Sequence, residues 1–144
     1  MLVKSYKSDM VNPAIYWRVC DFIQGRNPIE DWRAKDLSEN GRFAFNAMLK
    51  NIVKVENHLE WGARDLKGAP KKENILELKF IADKRQYRVA FIFQPGREVI
   101  LLIGFYHKQK VYYPPNAIDT ARTRASAFRS NKAGKIDRAI QFDI

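Results

Sequence analysis

The residues in this sequence best suited to chemistry are cationic and aromatic rather than metal-ligating. Lys79, Arg88, His107, Lys108 and Lys110 lie on or just beyond alternating apolar segments, and Tyr112 and Tyr113 follow them. Such a set suits metal-independent RNA cleavage. A base takes the 2′-hydroxyl proton, cations stabilise the pentacoordinate phosphorane, and an acid protonates the leaving 5′-oxygen. His107 brings an imidazole, the side-chain type that titrates near neutrality. Each residue also has a structural use. Arg88 is within cross-strand reach of Glu77, and His107 suits a strand end that faces solvent. Tyr112 and Tyr113, ahead of two prolines, either pack a following helix or contact bases. Lys67, Lys71 and Lys72 in a basic loop are expected phosphate contacts, as are Arg122 and Arg124 on a later helix.

Other chemistries find little support. The histidines are His58 and His107, far apart, with no His-Glu-x-x-His run, so no metal site is expected. Cys20 is the one cysteine and falls inside an apolar run, which excludes a disulfide framework and a cysteine-based zinc site. No Gly-x-Ser-x-Gly is present, and Gly62 and Gly68 do not have phosphate-loop spacing, so no cofactor is expected either.

The 144 residues carry 26 Lys+Arg against 16 Asp+Glu, a formal net charge of +10. Residues 1–60 are almost balanced, with 9 basic and 8 acidic side chains. Residues 61–90 hold 8 against 4, and residues 107–138 hold 8 against 2. A one-sign excess in two separate segments goes beyond what solubility needs and points to a polyanionic partner, most simply nucleic acid. With 46% hydrophobic residues the chain has enough apolar material for one ordinary core. The run Val99–Phe105 is the longest apolar stretch, far short of a membrane span. Met1–Pro13, with Lys4, Lys7 and Asp9, lacks the apolar core of a signal peptide, so a soluble cytoplasmic protein without membrane contact is expected.

These groups need a sheet to hold them. Ile15–Ile23 is rich in β-branched and aromatic types and is closed by Gly25, Asn27 and Pro28: a strand and a turn. Asn27 and Pro28 then suit the N-cap and first turn of a short helix to about Leu37. Ser38 caps a second helix, expected to run to His58, because Phe45, Met48, Leu49, Ile52, Val55 and Leu59 form one apolar stripe. Trp61–Asn74 is a basic loop. Leu76, Leu78 and Phe80 then alternate with Glu77 and Lys79, and Asp83-Lys84 supplies a turn. Tyr87, Val89, Phe91 and Phe93 share one face of the next strand, with Arg88, Ala90 and Ile92 on the other. Pro95-Gly96 fits a type II turn into Glu98–Tyr106. That strand is apolar on both faces, with Val99, Leu101 and Ile103 on one and Ile100 and Leu102 on the other, so it is expected to be central. A last helix starts near Pro115 or Asn116 and runs through Ala121, Ala125 and Phe128. The pattern after Phe128 is weak and leaves that stretch unplaced. The expected class is α+β, with an N-terminal strand, a two-helix hairpin packed on a small antiparallel sheet and a C-terminal helix. Residues 1–144 form one expected domain, with a core at about 14–128 and an extra tail at 129–144.

Several of these segments, taken in order, resemble the RelE/ParE toxin superfamily, nearest its HigB-like and phage-derived branch. They are Leu66-Lys67-Gly68, Ile75–Lys79, Tyr87-Arg88-Val89, Leu101–Phe105, His107–Lys110, and a proline followed by a helix with Ala121 and Arg124. The resemblance covers roughly residues 14–128. It implies a RelE-like fold and the toxin of a type II toxin–antitoxin pair, neutralised by a cognate antitoxin that often carries a helix-turn-helix. It also implies a ribosome-dependent mRNA endonuclease that needs no metal or cofactor and inhibits translation. By position, Arg88 matches the family's strand arginine and Lys79 a basic residue on the preceding strand. His107, Lys108 and Lys110 match the basic residues after the last strand, and Tyr113 a downstream tyrosine. Arg88, His107, Lys79, Lys108 and Tyr113 are thereby the expected catalytic set. Lys67, Lys71, Lys72, Lys110, Arg122 and Arg124 are the expected RNA or ribosome contacts. Glu77 stands where RelE-like members often have a second lysine. A gyrase-directed toxin of the ParE branch and a non-catalytic, phage-derived nucleic-acid-binding protein are the competing expectations.

Overall fold

The computed structural model describes residues 15–140. Their order is β1 (Arg18–Ile23), α1 (Pro28–Asp36), α2 (Glu39–Val53), β2 (Arg64–Asp65), β3 (Leu76–Ala82), β4 (Arg85–Gln94), β5 (Glu98–Lys108), β6 (Val111–Tyr113), α3 (Ala117–Arg129) and β7 (Gly134–Asp137). Single 3-10 turns occur at His58–Trp61 and Lys71–Glu73. The class is α+β, as the alternation of periods predicts. The sheet is neither small nor purely antiparallel: seven strands run in the order β2-β3-β4-β5-β1-β7, with β6 also on β5. β1 lies parallel to β5, Arg18 opposite Glu98. Among the described residues, no helix is long and apolar enough to cross a membrane.

Local chemistry accounts for the helices. The Asn27 side chain accepts from the Glu30 N–H at 2.9 Å, with Pro28 in the first turn of α1. The Ser38 hydroxyl accepts from the Gly41 N–H at 3.0 Å at the start of α2 and donates to Asp83 in the β3–β4 turn. Ser38→Ala is therefore expected to cost about 1 kcal/mol as a lost cap, read by urea denaturation. It also changes Asp83, whose carboxyl is held below its ordinary value by the bonds from Ser38 and then Asn40. That bonding stabilises the fold above the unfolded-state pKa and is lost as pH falls through the lower folded value. An NMR titration should show the Asp83 midpoint moving up in the variant.

The apolar stripe over-predicts α2, which ends at Val53 rather than His58. Tertiary partners claim the carbonyls at and beyond its end. The Tyr16 N–H donates to Val53 O at 2.8 Å, Trp61 Nε1 to Val55 O at 3.1 Å, and Trp17 Nε1 to Glu56 O at 3.0 Å. Asn57 then caps the 3-10 turn, leaving Leu59 80% exposed rather than on the core stripe.

Helices cover both sheet faces. On one, Trp32, Phe45, Leu49 and Ile52 of the α1–α2 pair bury Val19, Leu78, Phe80, Tyr87, Val89, Phe91 and Leu101. On the other, Ala117, Ala121, Ala125 and Phe128 of α3 pack on Phe22, Ala90, Ile92, Ile100, Leu102 and Phe105. The residues after α3, unplaced by their own pattern, form β7 against β1. Arg138 then donates to the buried Asp21 at 2.6 Å and to Glu30 at 2.9 Å.

One irregularity reorders β5. Ala90 pairs with Ile103 but Phe91 pairs with Leu101, so Leu102 is an extra residue, a β-bulge. Leu102 and Ile103 both join the α3-side core, whereas strict alternation puts Ile103 with Leu101. Beyond the bulge every side chain has changed face.

Candidate functional site

The bulge decides which predicted site residues share a face. Arg88 lies opposite Lys79 on β3 and Phe105 on β5, all on the α3 side of the sheet. His107, two residues past Phe105, falls on this same side and stacks on Tyr112 with ring centroids 4.8 Å apart. Tyr112 rests in turn on Phe105 at 5.6 Å. Lys79 and His107 are exposed beyond the part of the sheet that α3 covers. Three of the five expected catalytic residues, Lys79, Arg88 and His107, thus stand on one open patch.

Lys108 and Tyr113 do not. Lys108 pairs with Val111, in alternation with the His107–Tyr112 pair, so the pleat turns it to the other face. Tyr113 stacks on Tyr106 at 4.9 Å, the planes 11° apart, on the side of α1. Lys108 and Tyr113 thus stand on the sheet face opposite the other three. Lys110 sits in the β5–β6 turn, where Gln109 and Lys110 have φ of +53° and +66°.

Arg88 is held rather than free. Its guanidinium donates to Glu77 at 2.9 Å and to Gln86 at 3.1 Å, with its side chain 12% exposed. Glu77, 1% exposed, also accepts from Arg64 Nε at 2.7 Å. Arg88 and Lys79 face each other across β3 and β4, a like-charge pair that is unfavourable by itself. Glu77, two residues along β3 from Lys79 and on the same face, supplies the offsetting charge. Arg64 and Gln86 are the participants that sequence reasoning did not single out. An acidic residue on the alternating face of an apolar strand was the available signal.

The expected phosphate contacts divide in two. Lys67, Lys71 and Lys72 are exposed on the loop leading to β3. Arg122 instead forms a two-pronged pair with Glu73, both bonds 2.9 Å. That bonding holds the Glu73 carboxyl below its ordinary range and the Arg122 guanidinium above its own. Arg124 donates to Leu102 O at 2.7 Å and lies over the Phe22 ring, and burial lowers its pKa. These two arginines fasten α3 to the loop and to the bulge. Burial pushes the Cys20 thiol up to about 11, and no group of three or more His, Cys, Asp or Glu among the described residues is placed to hold a metal.

Nothing among curated proteins or solved structures matches the chain. A family model described as Phage derived protein Gp49-like (DUF891) does match, over residues 35–126. That span runs from the end of α1 to near the end of α3, more than half of the chain, and takes in the whole patch described above. The chain therefore belongs to the Gp49-like family of phage-derived proteins.

Proposed function

We propose that this Gp49-like protein has a RelE-like arrangement of sheet and helices and is the toxin of a type II toxin–antitoxin pair, cutting mRNA on translating ribosomes without a metal. The observation that carries this reading is the open patch of Lys79, Arg88 and His107 on one face of the sheet. His107 removes the proton from a ribose 2′-hydroxyl. The freed oxygen attacks the adjacent phosphorus, the bond to the 5′-oxygen breaks, and that oxygen takes up a proton. The products are a 2′,3′-cyclic phosphate and a 5′-hydroxyl. Arg88, oriented by Glu77, and Lys79 meet the charge that builds on the phosphorane. Lys67, Lys71, Lys72 and Lys110 supply phosphate and ribosome contacts, and a ribosome-directed toxin works in the cytoplasm. The neutralising partner is a small cognate antitoxin, expected to be of helix-turn-helix type.

Primer extension on a defined mRNA in a reconstituted translation reaction tests this, with EDTA-treated free RNA as a control. Cuts at codon-spaced positions are expected only while ribosomes translate. His107→Ala should lower cleavage by about 10² or more with the circular dichroism spectrum unchanged, since the imidazole is exposed. An intact message with the wild-type protein would discard the nuclease reading and leave a gyrase supercoiling assay as the next measurement.

A further inference from the structure

The sheet face turned away from the patch carries a second, separate feature. A cavity of about 380 Å³ opens between the end of α1 and the β4–β5–β6 corner, lined by Trp32, Asp36, Arg85, Tyr106, Tyr113 and Pro114 among others. Its floor is a ladder of planar groups. The Arg85 guanidinium lies 4.0 Å over the Tyr106 ring, and Tyr113 stacks on Tyr106 at 4.9 Å with the planes 11° apart. Tyr113 is 42% exposed, so the stack has an open end. A neighbouring cavity of about 460 Å³ shares Trp32, Asp36 and Pro114 with the first and adds Lys35 and Arg26. The two together have room for a nucleotide, within the usual size of ligand pockets.

Asp36 gives the slot its selectivity. It is the last residue of α1, where a negative charge faces the partial negative end of the helix, an arrangement that opposes stability. Among the described residues no ion pair involves it, yet it lines both cavities. The geometry points to a guanine nucleotide site: the base stacks on the tyrosine ladder, and the Asp36 carboxylate accepts from the guanine N1–H and 2-amino group. Lys35, an exposed residue lining the second cavity, supplies the cation for the phosphate. Adenine presents a lone pair at N1 and no 2-amino group, so the same carboxylate repels it. Stacking on an aromatic side chain, with hydrogen bonds to the pairing edge, is the way single-stranded bases are commonly recognised. This inference does not rest on the proposed cleavage, because it uses none of Lys79, Arg88 and His107.

Isothermal titration of the full chain with GMP and AMP, and with the pentaribonucleotides UUGUU and UUAUU, tests it. At least a tenfold preference for the guanine probe in either pair is expected, and the pair that shows it tells free nucleotide from RNA as the source. Asp36→Asn should abolish the preference, and Tyr113→Leu, at the open end of the stack, should weaken the binding of both purines by tenfold or more, each with an unchanged circular dichroism spectrum. Equal affinity for guanine and adenine probes in both pairs, no binding in either, or a preference that survives Asp36→Asn would overturn the site.

Discussion

Arg88→Met is expected to lower the free energy of unfolding by about 3 kcal/mol, because it strips a buried carboxylate of its best-buried partner. Glu77 is 1% exposed, and the Arg88 side chain, 12% exposed, donates to it at 2.9 Å. Arg64 remains at 2.7 Å, but its side chain is 46% exposed, so solvent screens part of what it contributes. The double variant Glu77→Leu/Arg88→Met should lose less than the single one, since an apolar pair leaves no buried charge unpaired and Arg64, which also loses Glu77, is half exposed to solvent. Urea denaturation of wild type, both single variants and the double variant decides this. A single variant within 1 kcal/mol of wild type, or costs that simply add, would mean that Glu77 is not the group Arg88 serves. The result also governs how cleavage assays are read. Activity lost with Arg88→Met mixes damage to the patch with damage to the fold, whereas His107→Ala removes an exposed imidazole whose ring contact is with Tyr112 and leaves every buried ion pair intact.

Gly104→Ala is the second large effect. A Cβ built at Gly104 meets the Trp32 ring at 2.2 Å, well inside any tolerated contact. The indole has little room to yield, for it sits edge-on to Phe45 at 5.4 Å, Phe80 at 6.2 Å and Tyr87 at 6.4 Å. Relief must come from moving α1 off β5, which overpacking of this kind sets at about 3 kcal/mol. Gly134→Ala, where a Cβ has nothing within 4 Å, should change stability by less than about 0.5 kcal/mol and serves as the control. Thermal unfolding that leaves Gly104→Ala level with Gly134→Ala would contradict the close seat of the indole on the strand. Trp32 and Gly104 both line cavities of the guanine slot, so the same variant should also weaken its guanine preference.

Local signals determined much of this protein. Asn27-Pro28 and Ser38 start their helices where the capping chemistry predicts, Asp83-Lys84 makes the β3–β4 turn with φ of +52° and +61°, and Gly96 takes the φ of +88° that a type II turn demands. Period-two alternation placed Tyr87, Val89 and Phe91 against Arg88, Ala90 and Ile92 on opposite faces, as found. These signals are legible because each depends on neighbours a few residues apart. The composition of the patch was legible too, as a run of cationic and aromatic residues. Its membership was not. Val99–Phe105 is apolar on both faces, so nothing in its pattern betrays an inserted residue, and the bulge at Leu102 is visible only in the pairing with β4. That one residue turns His107 toward Arg88 and sends Lys108 and Tyr113 to the other side. The parallel seat of β1, the pairing of β7 and the early end of α2 likewise rest on partners tens of residues away. Tertiary closure decided them, because a strand's period records which faces are buried but not which neighbour, direction or register buries them.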